Sequence, residues 1–250
     1  PRIIAVCGKG GVGKTSISAM MTKILMENGA HRILAIDADP AVGLATSLGL
    51  PVRKTVDDIR NDLIRDVQSG LPGDYREILN RLDYDVLEAL SEERNLAFLA
   101  IGRPETEGCY CQVNDLLKEI IGGLSQNFDV VIIDGEAGIE QVNRRVMEAV
   151  SHLILVSDAS QKGIHVCRTI QRVAAAVVSY QQAGLIVNRV REEDAALLTG
   201  LSPLTPIGTI PESEQVRRFD IEGRSLLALP EGVALHAVRR CLIHFGLLES

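Results

Sequence analysis

The stretch AVCGKGGVGKTS, residues 5–16, decides the fold. It contains the pattern G-x-x-x-x-G-K-[ST], with Gly8, Gly13, Lys14 and Thr15 at the defining positions. In this pattern the glycines let backbone N–H groups turn inward around phosphate oxygens, the lysine reaches the β- and γ-phosphates, and the hydroxyl binds Mg²⁺. We therefore predict an ATP- and Mg²⁺-binding loop of consecutive residues. These are Gly8, Lys9, Gly10, Gly11, Val12, Gly13, Lys14, Thr15 and Ser16.

Short apolar runs recur along the chain and predict the strands of a sheet. The runs are RIIAVC (2–7), ILAID (33–37), LAFLAI (96–101), VVIID (130–134), LILVS (153–157), LIVN (185–188) and PIGTI (206–210). They do not alternate apolar with polar residues, which is typical of strands buried on both faces. Helical spacing appears between runs, over 17–25 and 113–124. We predict an α/β fold with a doubly wound, mostly parallel sheet and helices on both faces.

The region 52–94 interrupts this alternation of strand and helix. The stretches DDIRNDLIRDV (57–67) and YREILNRLDYDVLEAL (75–90) have the spacing of amphipathic helices, and nothing from about Val52 to Arg94 resembles a good strand. We predict a helical insertion here, between the second and third apolar runs. The whole chain, residues 1–250, is expected to form a single domain around one nucleotide site.

Composition limits the partners and the compartment. The 250 residues carry a net charge of −7, which argues against a broad nucleic-acid footprint. No apolar run reaches the roughly 18 residues of a membrane span, and the first apolar run ends at the glycine-rich loop rather than as a signal peptide. The five cysteines are scattered and odd in number, unlike a secreted disulfide framework. We expect a cytoplasmic protein with no membrane and no nucleic-acid partner.

A second lysine, Lys9, gives the loop a more specific character. The stretch KGGVGKT (9–15) resembles the deviant Walker A loop of the MinD/ArsA/nitrogenase-iron-protein class of ATPases, within the SIMIBI class of P-loop NTPases. Three further stretches support this resemblance: LAIDADP (34–40), VVIIDGEAGIE (130–140) and IVNRV (186–190). It covers most of the chain except 52–94 and the C-terminal part. It implies an ATPase that forms a homodimer on binding ATP, with Lys9 reaching the partner's nucleotide.

The same resemblance implies roles for residues at three strand ends. Asp37 and Asp39 fall in the first switch, where Asp39 orients the attacking water and Asp37 supports the loop. Asp134 begins the second switch and approaches Mg²⁺. Asn188, with Arg189 beside it, lies where the class reads the adenine edge, and IPESEQV (210–216) follows at the matching place. Ordinary structural roles remain open for two of these residues, since Asp39 could form a turn and Asn188 could cap a strand end.

The stretch EGCYCQVND (107–115) places Cys109 and Cys111 two residues apart. Chance could produce this spacing, and a disulfide between such close cysteines is strained. Helical periodicity starts at Val113, so both thiols are expected in a loop at a helix N-terminus, where the helix dipole stabilises thiolate. One pair supplies two sulfurs, and a homodimer supplies four, enough for tetrahedral Zn²⁺ or planar Ni²⁺.

The order GCYC (108–111) shortly before the second switch is similar to the nickel-insertion accessory ATPases of carbon monoxide dehydrogenase and acetyl-CoA synthase. This resemblance implies a metallochaperone, in which ATP drives dimer closure and nickel reaches a client enzyme from the four thiolates of Cys109 and Cys111. Two alternatives remain: an ATPase carrying an iron–sulfur cluster, although its second switch should contain a cysteine, and a MinD-like positioning or partition ATPase. The latter usually ends in a basic amphipathic membrane helix, unlike RRCLIHFGLLES (239–250). The remaining cysteines, at 7, 167 and 241, are predicted to be structural.

Overall fold

The computed structural model describes residues 1–28, 32–69, 75–103, 111–135, 146, 149–195, 201 and 203–249. Over these residues, eight strands form one sheet. They are β1 (Arg2–Gly8), β2 (Ile33–Asp37), β3 (Ser91–Glu93), β4 (Leu96–Ala100), β5 (Val130–Asp134), β6 (Ala149–Ser157), β7 (Ser179–Val190) and β8 (Pro206–Pro211). The spatial order is β3-β4-β2-β5-β1-β6-β7-β8, and every neighbouring pair is parallel except β3 with β4.

Helices cover both faces of the sheet. They are α1 (Lys14–Glu27), α2 (Gly43–Leu48), α3 (Val56–Gln68), α4 (Tyr75–Ala89), α5 (Cys111–Ser125), α6 (Gln161–Val177), α7 (Glu192–Ala195), α8 (Glu214–Ile221), a 3₁₀ turn (Leu226–Ala228) and α9 (Val233–His244). Side chains of β1 alternate between two separate cores. Ile4 and Val6 pack with α1, α2, α8 and α9, whereas Ala5 and Cys7 pack with α3, α4, α5 and α6. The predicted α/β fold with helices on both faces is confirmed.

All seven predicted strands are present, but the region 52–94 differs from the prediction. It contains α3 and α4 as expected, and it also contains the short strand β3, which pairs antiparallel with β4 at the edge of the sheet. The prediction of no strand in this region was therefore wrong. Two of the three β3 residues are exposed glutamates, which are depleted in strands, so neither burial nor propensity signals this edge strand.

The start of α5 also differs from the expected boundary. The helix begins at Cys111 and not at Val113, so Cys111 is the first helical residue instead of the last residue of a loop. Apolar periodicity cannot detect a first turn whose second and fourth residues are polar, as Gln112 and Asn114 are. Cys109 lies outside the described residues.

Of the helices that the structure describes, none has the length and hydropathy that a bilayer crossing requires.

Candidate nucleotide site

The glycine-rich loop lies between β1 and α1, at the carboxyl edge of the sheet. Gly11 and Gly13 have φ values of 78° and 92°, in the left-handed region that favours glycine. A Cβ atom on Gly8 would collide with the Val156 carbonyl of β6, and one on Gly13 would lie 2.5 Å from Nδ2 of Asn188. The loop is therefore packed tightly against β6 and β7, which holds its backbone in place before any phosphate arrives.

Lys14 and Thr15 occupy the first turn of α1 and face the loop and β5. Lys14 is only 8% exposed, and its ammonium donates a hydrogen bond of 3.4 Å to the carbonyl oxygen of Lys9. The Thr15 hydroxyl is hydrogen-bonded to the carboxylate of Asp134. The helix N-terminus, the loop N–H groups and this lysine together form an arrangement suited to a polyphosphate.

Asp37 and Asp134 end the neighbouring strands β2 and β5, where they are register partners. Both are buried, with at most 1% of their surface exposed. The carboxylate oxygens of Asp37 accept hydrogen bonds from the N–H groups of Asp39, at 3.0 Å, and Leu44, at 2.7 Å. Asp134 accepts a hydrogen bond of 3.0 Å from the Ser18 hydroxyl. Asp37 is therefore held in one orientation by the turn and helix that follow β2, and Asp134 is held by α1.

The environment of this pair opposes two negative charges. The pKa of Asp37 is raised from 3.8 to about 7, mainly by burial and then by the charge of Asp134, against the lowering effect of the hydrogen bonds from Leu44 and Asp39. Burial raises the pKa of Asp134 to about 6, although hydrogen bonds from Thr15 and Ser18 and the charge of Lys14 act in the opposite direction. Hydroxyl and carboxylate oxygens beside uncompensated negative charge are the donor set that Mg²⁺ prefers. These residues therefore fit a magnesium ion.

Asp39 lies just beyond β2 and forms a local turn. Its Oδ1 atom accepts a hydrogen bond of 2.9 Å from the N–H group of Ala41, the geometry of an Asx turn. Its negative charge also raises the pKa of both Asp37 and Asp134, so it lies near the buried pair. The structure thus shows that Asp39 forms the turn that the sequence left open. The role of Asp39 in orienting water stays a prediction.

Lys9 pairs with a residue that the sequence analysis missed. Its ammonium lies 3.4 Å from Oδ2 of Asp158, and about a third of each side chain is exposed, 33% for Lys9 and 37% for Asp158. Asp158 follows β6 directly, and its other oxygen accepts hydrogen bonds from the N–H and hydroxyl groups of Ser160. Burial acts to raise the pKa of Asp158, but the bonds from Ser160 and the ammonium of Lys9 outweigh it, and this pKa lies below its usual value.

Asn188 and Arg189, at the end of β7, hold the outer side of the loop. The Asn188 amide donates a hydrogen bond of 2.8 Å to the carbonyl oxygen of Val12, and Arg189 donates one of 3.1 Å to the carbonyl oxygen of Gly11. Arg189 has a φ of 56°, which turns the chain toward the loop. Asn188 therefore contacts the phosphate loop directly, and reading of a base by this residue stays a prediction.

A cleft of about 340 Å³ opens beside these two residues. Its walls come from α1, the end of β7, the end of β8 and the helix α8 with the segment that joins it to β8. Polar residues in these walls include Ser16, Asn188, Arg189, Glu212, Ser213 and Arg217. The cleft adjoins the phosphate loop and includes part of the predicted segment 210–216, so it has the position of a pocket for a nucleoside.

A glycine-rich loop between the first strand and first helix, with acidic residues ending the neighbouring parallel strands, defines a P-loop nucleotide-binding protein. The model of the CobQ/CobB/MinD/ParA nucleotide binding domain matches residues 3–226, and the chain belongs to this family. The predicted membership of the MinD class is confirmed.

Relatives with similar sequences include an uncharacterized ATP-binding protein of Methanocaldococcus jannaschii, 36% identical over 237 residues, which are 92% of this chain and 92% of the relative. The carbon monoxide dehydrogenase accessory protein CooC of Rhodospirillum rubrum is 28% identical over 246 residues, 89% of this chain and 88% of that protein. The predicted likeness to accessory ATPases of this kind is therefore confirmed.

Solved structures support the fold. The MinD cell division protein of Aquifex aeolicus superposes with a TM-score of 0.70 over 100% of this chain and 98% of its own, at 20% identity. The septum site-determining protein MinD of Pyrococcus horikoshii, complexed with Mg-ADP, gives 0.65 over 96% and 93%, at 22% identity. At these identities the likeness extends to the fold alone.

The cysteines divide into two groups. Cys7, Cys167 and Cys241 are buried, at most 2% exposed, and burial raises the pKa of Cys167 and Cys241 to about 11, so their thiols are inert parts of the core. Cys109 and the side chain of Cys111 lie outside the described residues. Among the side chains that are described, there is no group of three or more histidine, cysteine, aspartate or glutamate residues that could hold a metal ion.

Proposed function

We propose that this protein is an ATP-dependent metallochaperone, in which ATP binding and hydrolysis drive closure of a homodimer and the delivery of nickel to a client metalloenzyme. The observation that carries the proposal is the likeness to an accessory protein of carbon monoxide dehydrogenase over 89% of the chain. That likeness coincides with a Cys-x-Cys pair whose second cysteine starts α5. The client is carbon monoxide dehydrogenase or acetyl-CoA synthase.

The chemistry of ATP hydrolysis is assigned to the loop and the strand ends. Gly8 to Ser16 cradle the phosphates, and the ammonium of Lys14 stabilises the charge that develops on the transferred phosphoryl group. The Thr15 hydroxyl would bind Mg²⁺ and Asp134 would hold the ion through a bound water, and the ion would supply charge neutralisation at the β- and γ-phosphates. Asp39 orients the attacking water from its turn after β2. Asp37 keeps that turn in place through its bonds to Asp39 and Leu44.

Dimer closure is assigned to Lys9. In the single chain its ammonium is paired with Asp158, with about a third of each side chain exposed to water. Ion pairs of this exposure contribute about 0–1 kcal/mol to stability, so a phosphate on a second subunit can replace the carboxylate at little cost. Lys9 is thus available to contact the partner's nucleotide. Binding of ATP to both subunits then favours the closed dimer.

Nickel is the cargo of the proposed reaction. Cys109 and Cys111 of both subunits supply four thiolates, a soft donor set that binds Ni²⁺ or Zn²⁺. Because α5 begins at Cys111, the free N–H groups and the positive end of this helix favour the thiolate form of the pair. The second switch starts at Asp134, the last residue of β5, and β5 is the element that follows α5 in the chain. We expect loss of the γ-phosphate to change the conformation of this switch. We infer that this change weakens the metal site and releases nickel to the client.

Nickel titration by calorimetry, with and without ATP, tests the proposal. The expected stoichiometry is one Ni²⁺ per dimer, lost in a Cys109→Ser/Cys111→Ser variant that still binds ATP. A matched control is Cys241→Ala, which removes a core thiol in α9 and should retain nickel binding. Unchanged nickel affinity in the double variant would contradict the proposal. A brown protein with a charge-transfer band after anaerobic purification would instead support an iron–sulfur ATPase.

A further inference from the structure

The outer face of the chain carries an open groove between α4 and α5, about 500 Å³ in volume and on the opposite face of the sheet from α1. Its floor is apolar, made by Val86 and Leu87 of α4 with Ile120 and Leu124 of α5. Two carboxylates, Asp83 and Glu119, line its rim. This surface has no role in the nucleotide site described above.

Two large apolar side chains on this side of the molecule are exposed to water. Leu87 is 55% exposed, and Tyr84, one residue beyond Asp83 on α4, is 65% exposed. Val86 and Ile120 are buried beneath them, at 1% and 8%. An exposed apolar patch with a polar rim is typical of a surface that another protein covers.

Two glycines in α5 also indicate a surface that another protein covers. Gly122 and Gly123 lie in the last turn and a half of the helix, and a Cβ atom on either would meet no atom of the described chain within 4 Å. Each glycine in a helix costs about 1 kcal/mol relative to alanine. Internal packing therefore requires neither glycine, and at Gly123, which lines the groove, the missing side chain leaves room for the close approach of another backbone.

The rim determines the charge of the occupant. Asp83 and Glu119 form no ion pair within the described part of the chain, whereas Arg81, the nearby cation on α4, is already bound to Asp66 at 2.6 Å. A second copy of this chain would bring identical acidic rims together, and an anionic membrane surface would be repelled in the same way. The groove therefore suits a positively charged protein segment.

We infer that the α4–α5 groove is the docking site for a helix of the client enzyme, with an apolar stripe over Leu87, Ile120 and Leu124 and with lysine or arginine residues beside Asp83 and Glu119. A groove between two helices accepts a third helix through apolar residues spaced three and four apart. This inference rests on the proposed function and names the surface that it uses.

The position of the groove fits delivery. The helix α5 runs from Cys111 to the groove, and at 1.5 Å per residue Glu119 and Gly123 lie about 12–18 Å along its axis from that cysteine. In a parallel sheet, the helix that precedes β5 ends at the edge opposite to the phosphate loop. A docked client therefore leaves the loop and Lys9 free, while the cysteine end of α5 stays within its reach.

Binding of purified, nickel-free carbon monoxide dehydrogenase, measured by surface plasmon resonance with ATP present, tests the inference. The variant Asp83→Lys/Glu119→Lys is expected to weaken binding at least tenfold, with ATP hydrolysis and nickel stoichiometry unchanged. The matched control, Glu222→Lys/Glu231→Lys, makes the same charge change at exposed positions on the other face and should bind as the unaltered protein does.

A second variant separates docking from folding. Gly122→Ala/Gly123→Ala should raise the melting temperature by about 2–8 °C, because α5 gains helix propensity, and should weaken client binding at least threefold. If both groove variants bind the client as tightly as the unaltered protein does, the inference is overturned and the proposed function is left intact. The inference is also overturned if the groove variants lose self-association, or binding to phosphatidylglycerol vesicles, but keep their affinity for the client. Absence of both client binding and nickel binding in the unaltered protein would refute the proposed function itself.

Discussion

Two charged pairs flank the same phosphate loop, and they differ in every physical respect. Asp37 and Asp134 are like charges, fully buried and held by backbone and hydroxyl donors. Lys9 and Asp158 are opposite charges, each about a third exposed and separated by 3.4 Å. Both pairs involve residues at the carboxyl ends of parallel strands or in the loop that follows β1.

The difference suggests a division of labour. A buried pair of carboxyl groups is unfavourable until a cation or a proton compensates it, so this pair is prepared for a metal ion. An exposed ion pair is close to neutral in free energy, so it can open when a better partner for the lysine arrives. The protein therefore combines a buried carboxyl pair that needs a compensating charge with an exposed ion pair, Lys9–Asp158, that can exchange its partner.

Asp134→Asn should have the largest effect and breaks the buried pair. We expect ATP hydrolysis to fall at least 100-fold, because the charge of the proposed water-mediated Mg²⁺ partner is lost. The ligand-free protein should at the same time gain about 1–2 kcal/mol of unfolding free energy at pH 8, because a like charge next to Asp37 is removed. Phosphate release and urea denaturation measure the two effects. Glu231→Gln, on the surface, should change neither, and a loss of stability in Asp134→Asn would contradict this account.

The pH dependence of stability sharpens the comparison. The folded-state pKa values of Asp37 and Asp134, about 7 and about 6, lie above the value of 3.8 for a free carboxyl group. The folded state therefore holds more protons than the unfolded state between these values, and the unfolding free energy should fall as pH rises. Without nucleotide and Mg²⁺ we expect a decrease of about 4 kcal/mol between pH 5 and pH 8, of which Asp37 contributes the larger part.

Urea denaturation at several pH values checks this decrease. Asp134→Asn should flatten the profile, since it removes one titrating group and lowers the pKa of the other. The Lys9–Asp158 pair serves as the internal comparison, because Asp158→Asn should leave the slope in this range unchanged. A profile that is flat in the unaltered protein would show that the buried carboxylates are compensated in another way.

Lys9→Ala and Asp158→Asn should have the smallest effects on stability, within about 0.5 kcal/mol. Their effects on dimerisation should be opposite. Lys9→Ala is expected to raise the ATP concentration needed for dimerisation about tenfold, because the contact that we propose between Lys9 and the partner's nucleotide is lost. Asp158→Asn is expected to lower that concentration about threefold, because Lys9 no longer has a competing carboxylate.

Sedimentation at a series of ATP concentrations measures both changes. The double variant should behave as Lys9→Ala does, since the effect of Asp158 is transmitted through the lysine. If Asp158→Asn alters dimerisation equally in the presence and absence of Lys9, then the ion pair is not the element that restrains the lysine.

Much of the site was predictable because its signals are local. A buried parallel strand appears as a continuous apolar run, and an acidic residue directly after such a run lies at the carboxyl edge of the sheet, as Asp37 and Asp134 do. The same rule applied to LILVSD (153–158) would have identified Asp158. The strand β3 gave no such signal, because three residues at a sheet edge need neither burial nor alternation.

The sequence by itself determined the phosphate loop, the order along the chain of seven of the eight strands that the structure describes, and the likeness to the MinD class. The order along the chain follows from the periodicity of apolar residues, and the loop follows from a motif whose spacing the chemistry of phosphate binding dictates. The class followed from the resemblance of KGGVGKT (9–15) and three further stretches to known ATPases. Only the tertiary structure decided which residues meet: Lys9 with Asp158, Asn188 with Val12, and α4 with α5 around an acid-rimmed groove. Such contacts join residues far apart in the chain, and they depend on strand order and helix packing, which no local pattern records.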